Sequence, residues 1–97
     1  MFVRISRSRI KPERLEEFKK LFAERGLVNA KQQKGFLWAF ALPPLIPDDY
    51  WQTISGWNSR EDAEAYHQLP ARNQSVQGWS EFYIQPPAIS NYDDVIE

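Results

Sequence analysis

Proton transfer near neutral pH is most readily done by an imidazole, and this chain of 97 residues carries one histidine, His67. It follows Tyr66 directly and lies downstream of Trp57 in the stretch GWNSREDAEAYHQLP, 56–70. An imidazole can take and return a proton, and a phenol hydroxyl can donate or accept a hydrogen bond. An indole offers a flat wall and one N–H but no titratable proton. His67 and Tyr66 are therefore the candidate catalytic residues. Trp57 and Trp38 are candidate walls for a flat organic ligand, and Ser6, Asn58 and Arg4 are candidate donors toward negative charge.

Each candidate has a plainer reading. Ala63, Tyr66 and Pro70 recur at helical spacing and mark a buried stripe. His67, about 100° from Tyr66 around the helix, falls at the edge of that stripe. A structural, half-exposed histidine is the first expectation and a cavity-lining one the second. Trp57 suits a core as well as a pocket wall. Tyr66 must find a partner for its hydroxyl, within the protein or on a ligand. Ser6 and Ser8 share a face of the first strand and reach a ligand only if that face meets the helices. The basic run Arg4, Arg7, Arg9, Lys11 and Arg14 has an anion-binding reading, but pairing with Asp93, Asp94 and Glu97 of the last strand is the simpler expectation.

The elements that must position these side chains follow from periodicity. Residues 2–10, FVRISRSRI, alternate as a strand, with Phe2, Arg4, Ser6, Ser8 and Ile10 on one face. KPERLEEFKKLFAERG, 11–26, reads as a helix with Pro12 in its first turn and a stripe of Leu15, Phe18, Leu21, Phe22 and Arg25. It could continue to about residue 33. GFLWAFAL, 35–42, is a strand that alternation divides into Phe36, Trp38, Phe40 and Leu42 on one face and Leu37, Ala39 and Ala41 on the other. YWQTISGWN, 50–58, puts Trp51, Thr53, Ser55 and Trp57 together. Ser59 then caps a helix that stops near Leu69–Pro70, with Asp62 three residues into it. Pro70 opens a second short helix, and AISNYDDVIE, 88–97, is the last strand.

The order β-α-β-β-α(α)-β predicts one domain over 1–97. Its fold class is α+β, a ferredoxin-like two-layer sandwich with an antiparallel sheet. Helices cover one side of such a sheet, and the strands carry apolar residues on both faces. The uncovered face therefore predicts a homodimer formed sheet to sheet.

Composition narrows the function classes. A formal net charge of −1 gives no general attraction to nucleic acid or to an anionic membrane. Without cysteine there is no disulfide or thiolate chemistry, and a lone histidine makes a protein-only metal site improbable. The first ten residues lack the apolar core of a signal peptide, and no run approaches the ~20 apolar residues of a membrane span. A cytoplasmic protein with no cofactor is the expectation.

In KPERLEEFKKLF, KGFLWAF and above all TISGWNSREDAEAYHQLP, in this order and at this length, the chain resembles the antibiotic biosynthesis monooxygenase family. The resemblance implies a dimeric α+β barrel, with a cavity between sheet and helices in each subunit. It also implies an activity without metal or flavin: oxidation of a small quinol or phenol whose own anion reduces O₂. For that the protein supplies a dry aromatic pocket, a proton path and donors for developing charge. Relatives also include haem-degrading enzymes, which use an Asn on the first strand, an aromatic on the later helix and an axial His about ten residues on. Ser6, Tyr66 and Val76 stand at those places here, so haem ligation of that kind is not expected. A non-catalytic ligand-binding or structural dimer on the same fold is the alternative to the monooxygenase.

Overall fold

Alternation along the first strand decides which side chains meet the helices. In the computed structural model, which describes residues 1–97 apart from the side chains at 71, 74 and 75, β1 (Phe2–Ser8) runs antiparallel to β3 (Trp51–Trp57). Phe2 lies opposite Trp57, Arg4 opposite Ser55, Ser6 opposite Thr53 and Ser8 opposite Trp51. A period of two puts all eight on one face. β4 (Ala88–Tyr92) pairs with the free edge of β1, and β2 (Phe36–Leu42) with that of β3. The sheet order is β2-β3-β1-β4, antiparallel throughout, as a ferredoxin-like sandwich requires.

α1 (Leu15–Leu21), α2 (Arg60–His67) and α3 (Pro70–Ser75) belong to the second layer. The helix predicted over 11–26 is realised in three pieces: a 3₁₀ turn at Pro12–Arg14, α1, and a π turn at Phe22–Gly26. Its stripe is buried at Leu15, Phe18 and Phe22, but Gly26 and not Arg25 continues it. The reason is the Phe22 ring, which lies against Gly26 so closely that a Cβ there would come within 2.9 Å of it. α2 begins as predicted, with the Asp62 N–H donating to Ser59 Oγ at 3.2 Å.

β2 departs from simple alternation. A bulge between Phe36 and Trp38 shifts the register, so Phe36 stays opposite Trp57 while Trp38 falls opposite Gly56. One extra residue in a strand reverses the face of everything after it. Phe36 packs on the helix side against Trp57, ring centroids 5.6 Å apart. Trp38 turns to the open side beside Phe40, at 5.8 Å, with its indole over Gly56 where a Cβ would collide. Trp38 is thus not a wall of any space between sheet and helices.

The last strand is shorter than expected and ends at Tyr92, leaving the acidic residues beyond it. They do not pair with the basic run. Arg9 holds Asp48, Arg14 holds Glu17, and Asp93 lies 3.8 Å from Arg60 of α2.

Among the described residues the interior is two aromatic clusters. One joins Ile10, Leu15, Phe18, Phe22, Trp51, Trp79 and Phe82. The other joins Phe2, Ala30, Trp57, Ala63 and Tyr66. Phe18 sits at the centre of the first, edge-on to Trp51 at 4.9 Å and to Trp79 at 5.4 Å. Among the described residues no helix is long and apolar enough to cross a membrane.

Candidate active site

Between the two clusters the sheet and the helical layer do not close, and a cavity of about 430 Å³ remains. That is the size of a small-molecule site. Its floor is the polar middle of the central ladder: Arg4, Ser6 and Ser8 from β1, with Thr53 and Ser55 from β3. Trp51, Phe18, Phe22 and Trp79 wall one end, and Trp57, Tyr66 and His67 the other. Placing Thr53 and Ser55 between Trp51 and Trp57 on β3, opposite Ser6 and Arg4 of β1, makes both ends apolar and the middle wettable.

The hydroxyls also serve the walls. Trp51 Nε1 donates to Thr53 Oγ1 at 3.1 Å, and Trp57 Nε1 to Ser55 Oγ at 3.1 Å. A buried indole N–H needs such an acceptor, and these bonds hold both rings along the sheet. The Tyr66 ring stacks on Trp57 with centroids 5.3 Å apart and planes 27° off parallel. His67 stands edge-on to Tyr66 at 5.0 Å.

His67 is a cavity wall and not merely a helix-surface residue. Its Nδ1 lies 2.7 Å from the Ala63 carbonyl oxygen, one turn back along α2. A carbonyl only accepts, so Nδ1 carries the proton and Nε2 keeps the lone pair. Burial pushes the imidazole pKa down to about 4; the bond to Ala63 opposes this, and the charges of Arg4 and Arg72 add to it. At pH 7 the ring is neutral. Burial raises the Tyr66 pKa above the ordinary tyrosine value, so its hydroxyl is a donor and not a phenolate.

Arg4 rises from the floor with its Nε donating to Asn91 Oδ1 at 2.7 Å, a bond that ties it to β4. Burial lowers its pKa, opposed by Glu64 and reinforced by Arg72. Ser6 lines the cavity as the facing of β1 allows. Asn58, like Trp38, is not in the wall: it lies past the end of β3, is exposed, and gives its backbone N–H to the Gly35 carbonyl at 2.7 Å.

Sequence reasoning missed Trp51, Trp79, Tyr83 and Arg72 as cavity residues. Trp51 was legible, since it shares a face with Trp57. Trp79 and Tyr83 belong to the irregular segment before β4, where no period points inward. Burial raises the Tyr83 pKa, opposed by Arg72 and by Ser8 of the floor. Among the described residues no group of acids, histidines or cysteines has the makings of a metal site.

A family model described as antibiotic biosynthesis monooxygenase matches residues 1–77. No curated protein matches the sequence significantly. Among solved structures, a candidate antibiotic biosynthesis monooxygenase from Nitrosomonas europaea superposes with a TM-score of 0.85 at 16% identity, over 99% of this chain and 100% of that one. A protein of the same description from Caulobacter crescentus gives 0.84 at 13% identity, over 98% and 90%. A haem-degrading protein of Mycobacterium tuberculosis, solved with two haems in its active site, gives 0.79 at 20% identity, over 100% and 98%. At such identities these likenesses speak for the fold alone.

Proposed function

This chain belongs to the antibiotic biosynthesis monooxygenase family, and from that premise we propose that it is a cofactor-independent monooxygenase acting on a small quinol or phenol. The observation that carries this reading is the cavity. About 430 Å³ stays open between Trp57 and Trp51 instead of being filled by the protein's own aromatic side chains, and His67 stands in its wall. A purely structural dimer gains nothing from leaving that volume empty.

The reaction is balanced by the substrate. A quinol and O₂ give a hydroxyquinone and water: one oxygen atom enters the ring, the other leaves as water, and the ring supplies all four electrons. The first need is a phenolate. Moving a proton from a phenol near pKa 10 to an imidazole near 4 is uphill by about six units, or ~8 kcal/mol. His67 Nε2 can be the acceptor only if the products are stabilised together. Arg4 faces the new anion, and the imidazolium and phenolate attract one another in a site of low polarity. Tyr66 is the donor we assign to the same oxygen, with the substrate ring against the Trp57 end of the cavity.

Oxygen uptake with a panel of neutral quinols and phenols, without added metal or flavin, tests the reading. Uptake that saturates with substrate is expected. No uptake across the panel would replace the enzyme with a ligand-binding protein on the same fold.

Haem held as the resemblance describes does not suit the residues present. Val76, at the place of the axial ligand, lines the cavity with an aliphatic side chain that has no ligating atom. A tight Soret-absorbing complex that is lost in His67→Ala would reverse this. We also place a second copy of the chain on the open face of the sheet, where Phe40 and Tyr92 are 59% and 51% exposed.

A further inference from the structure

The charge on the cavity wall is one-sided. Arg4 and Arg72 both line it, from β1 and α3, and no aspartate or glutamate does among the described residues. In a protein of net charge −1 this is not an overall excess of base but a local one. Of the other arginines, Arg9 is paired with Asp48, Arg14 with Glu17 and Arg60 with Asp93, while Arg7 lies over the Tyr50 ring and Arg25 is exposed outside the cavity. Neither Arg4 nor Arg72 has an ion pair among the described residues. Arg4 meets the amide of Asn91, and the nearest acidic influence on it is that of exposed Glu64. Two guanidiniums left without carboxylates beside an aromatic box lack a counter-charge, and like charges sharing a site of low polarity repel.

We propose that Arg4 and Arg72 form an anion subsite, and that the ligand of this cavity is an aromatic acid whose carboxylate lies between them while its ring lies against Trp57 and Tyr66. The inference rests on the reading of the cavity as a substrate site and names the substrate class. A carboxylate matches the guanidinium fork with two parallel hydrogen bonds, whereas a neutral phenol offers a single oxygen. An acid also arrives already charged, so its binding does not wait on a proton transfer.

Binding of 2,5-dihydroxybenzoate, its methyl ester and methylhydroquinone, followed by tryptophan fluorescence and calorimetry at low salt, tests this. The acid is expected to bind about tenfold tighter than the ester, with a preference that shrinks as salt rises. Arg72→Gln should bring acid and ester within about threefold while leaving ester affinity unchanged, Arg4→Gln should likewise shrink the acid preference, and Arg72→Lys should retain part of it. Arg72 lies on the short α3, so its variant tests the subsite even if Arg4→Gln fails to fold. Equal affinities for acid and ester, a preference that survives Arg72→Gln, or no saturable binding of either would overturn the subsite. Oxygen uptake with methylhydroquinone and no preference for the acid leaves the monooxygenase standing without it. Tight acid binding without oxygen uptake on any quinol does the reverse.

Discussion

His67 Nδ1 and the Ala63 carbonyl oxygen, 2.7 Å apart within α2, fix the ring's tautomer and leave Nε2 as its free base. A neutral buried imidazole has a consequence for stability. Its pKa is near 4 folded, against an ordinary 6.5 unfolded. Between those values the unfolded chain binds more protons, so stability rises with pH through that window. It is fully present above about 6.5 and is lost as pH falls toward 4. The shift bounds the loss at about 3 kcal/mol, and solvent screening of the half-buried ring reduces it. His67→Gln should lose less than the wild type between pH 6.5 and 4 in urea unfolding. Parallel losses in the two proteins would mean that His67 is not held neutral.

The same neutrality shapes the rate profile. If Nε2 takes the substrate proton, the acid limb of kcat/KM should fall near pH 4 and not near 6.5, since the free enzyme's base governs it. His67→Gln should lower turnover at least about tenfold with the fold intact by circular dichroism. Turnover unchanged in that variant removes the imidazole from the mechanism, whatever its place in the wall.

How much of this the sequence discloses depends on periodicity. Strand alternation groups Arg4 with Ser6 on β1 and Trp51 with Trp57 on β3, and both groups hold because these strands run without interruption; that the two groups share a face follows only from the register between the strands. The Ser59 cap was legible for the same local reason. Trp38 was not, because a bulge one residue earlier inverts its face, and nothing in GFLWAFAL announces a bulge. Arg72 belongs to a segment with no strong period, and its meaning appears only when the lining of the cavity shows no acid. Local rules carry the scaffold; the electrostatics of the site come from residues far apart in sequence.

The inverted face of Trp38 is itself testable. Its indole occupies the space above Gly56, so Gly56→Ala should cost about 1–3 kcal/mol by overpacking. In a Trp38→Ala background the same change should cost under about 0.5 kcal/mol, since the obstruction is gone. A cost that is the same in both backgrounds would place the strain in the β3 backbone and not in the indole.

Phe40 distinguishes a lone subunit from a pair. In an isolated chain it is 59% exposed, and replacing an exposed side chain usually shifts stability by no more than about 0.5 kcal/mol. If a second copy packs on this face, Phe40→Lys sets a charge against the partner's apolar residues and its own counterpart. Sedimentation at micromolar concentration should then show the wild type as a dimer and Phe40→Lys as a monomer with a lower Tm. A wild-type monomer, or a variant that dimerises as well as its parent, would move the contact off the sheet. The cavity lies on the opposite side of the sheet from Phe40, so ligand affinity need not follow the oligomeric state. Aromatic-acid binding that survives in the monomeric variant would show that one subunit builds the whole site.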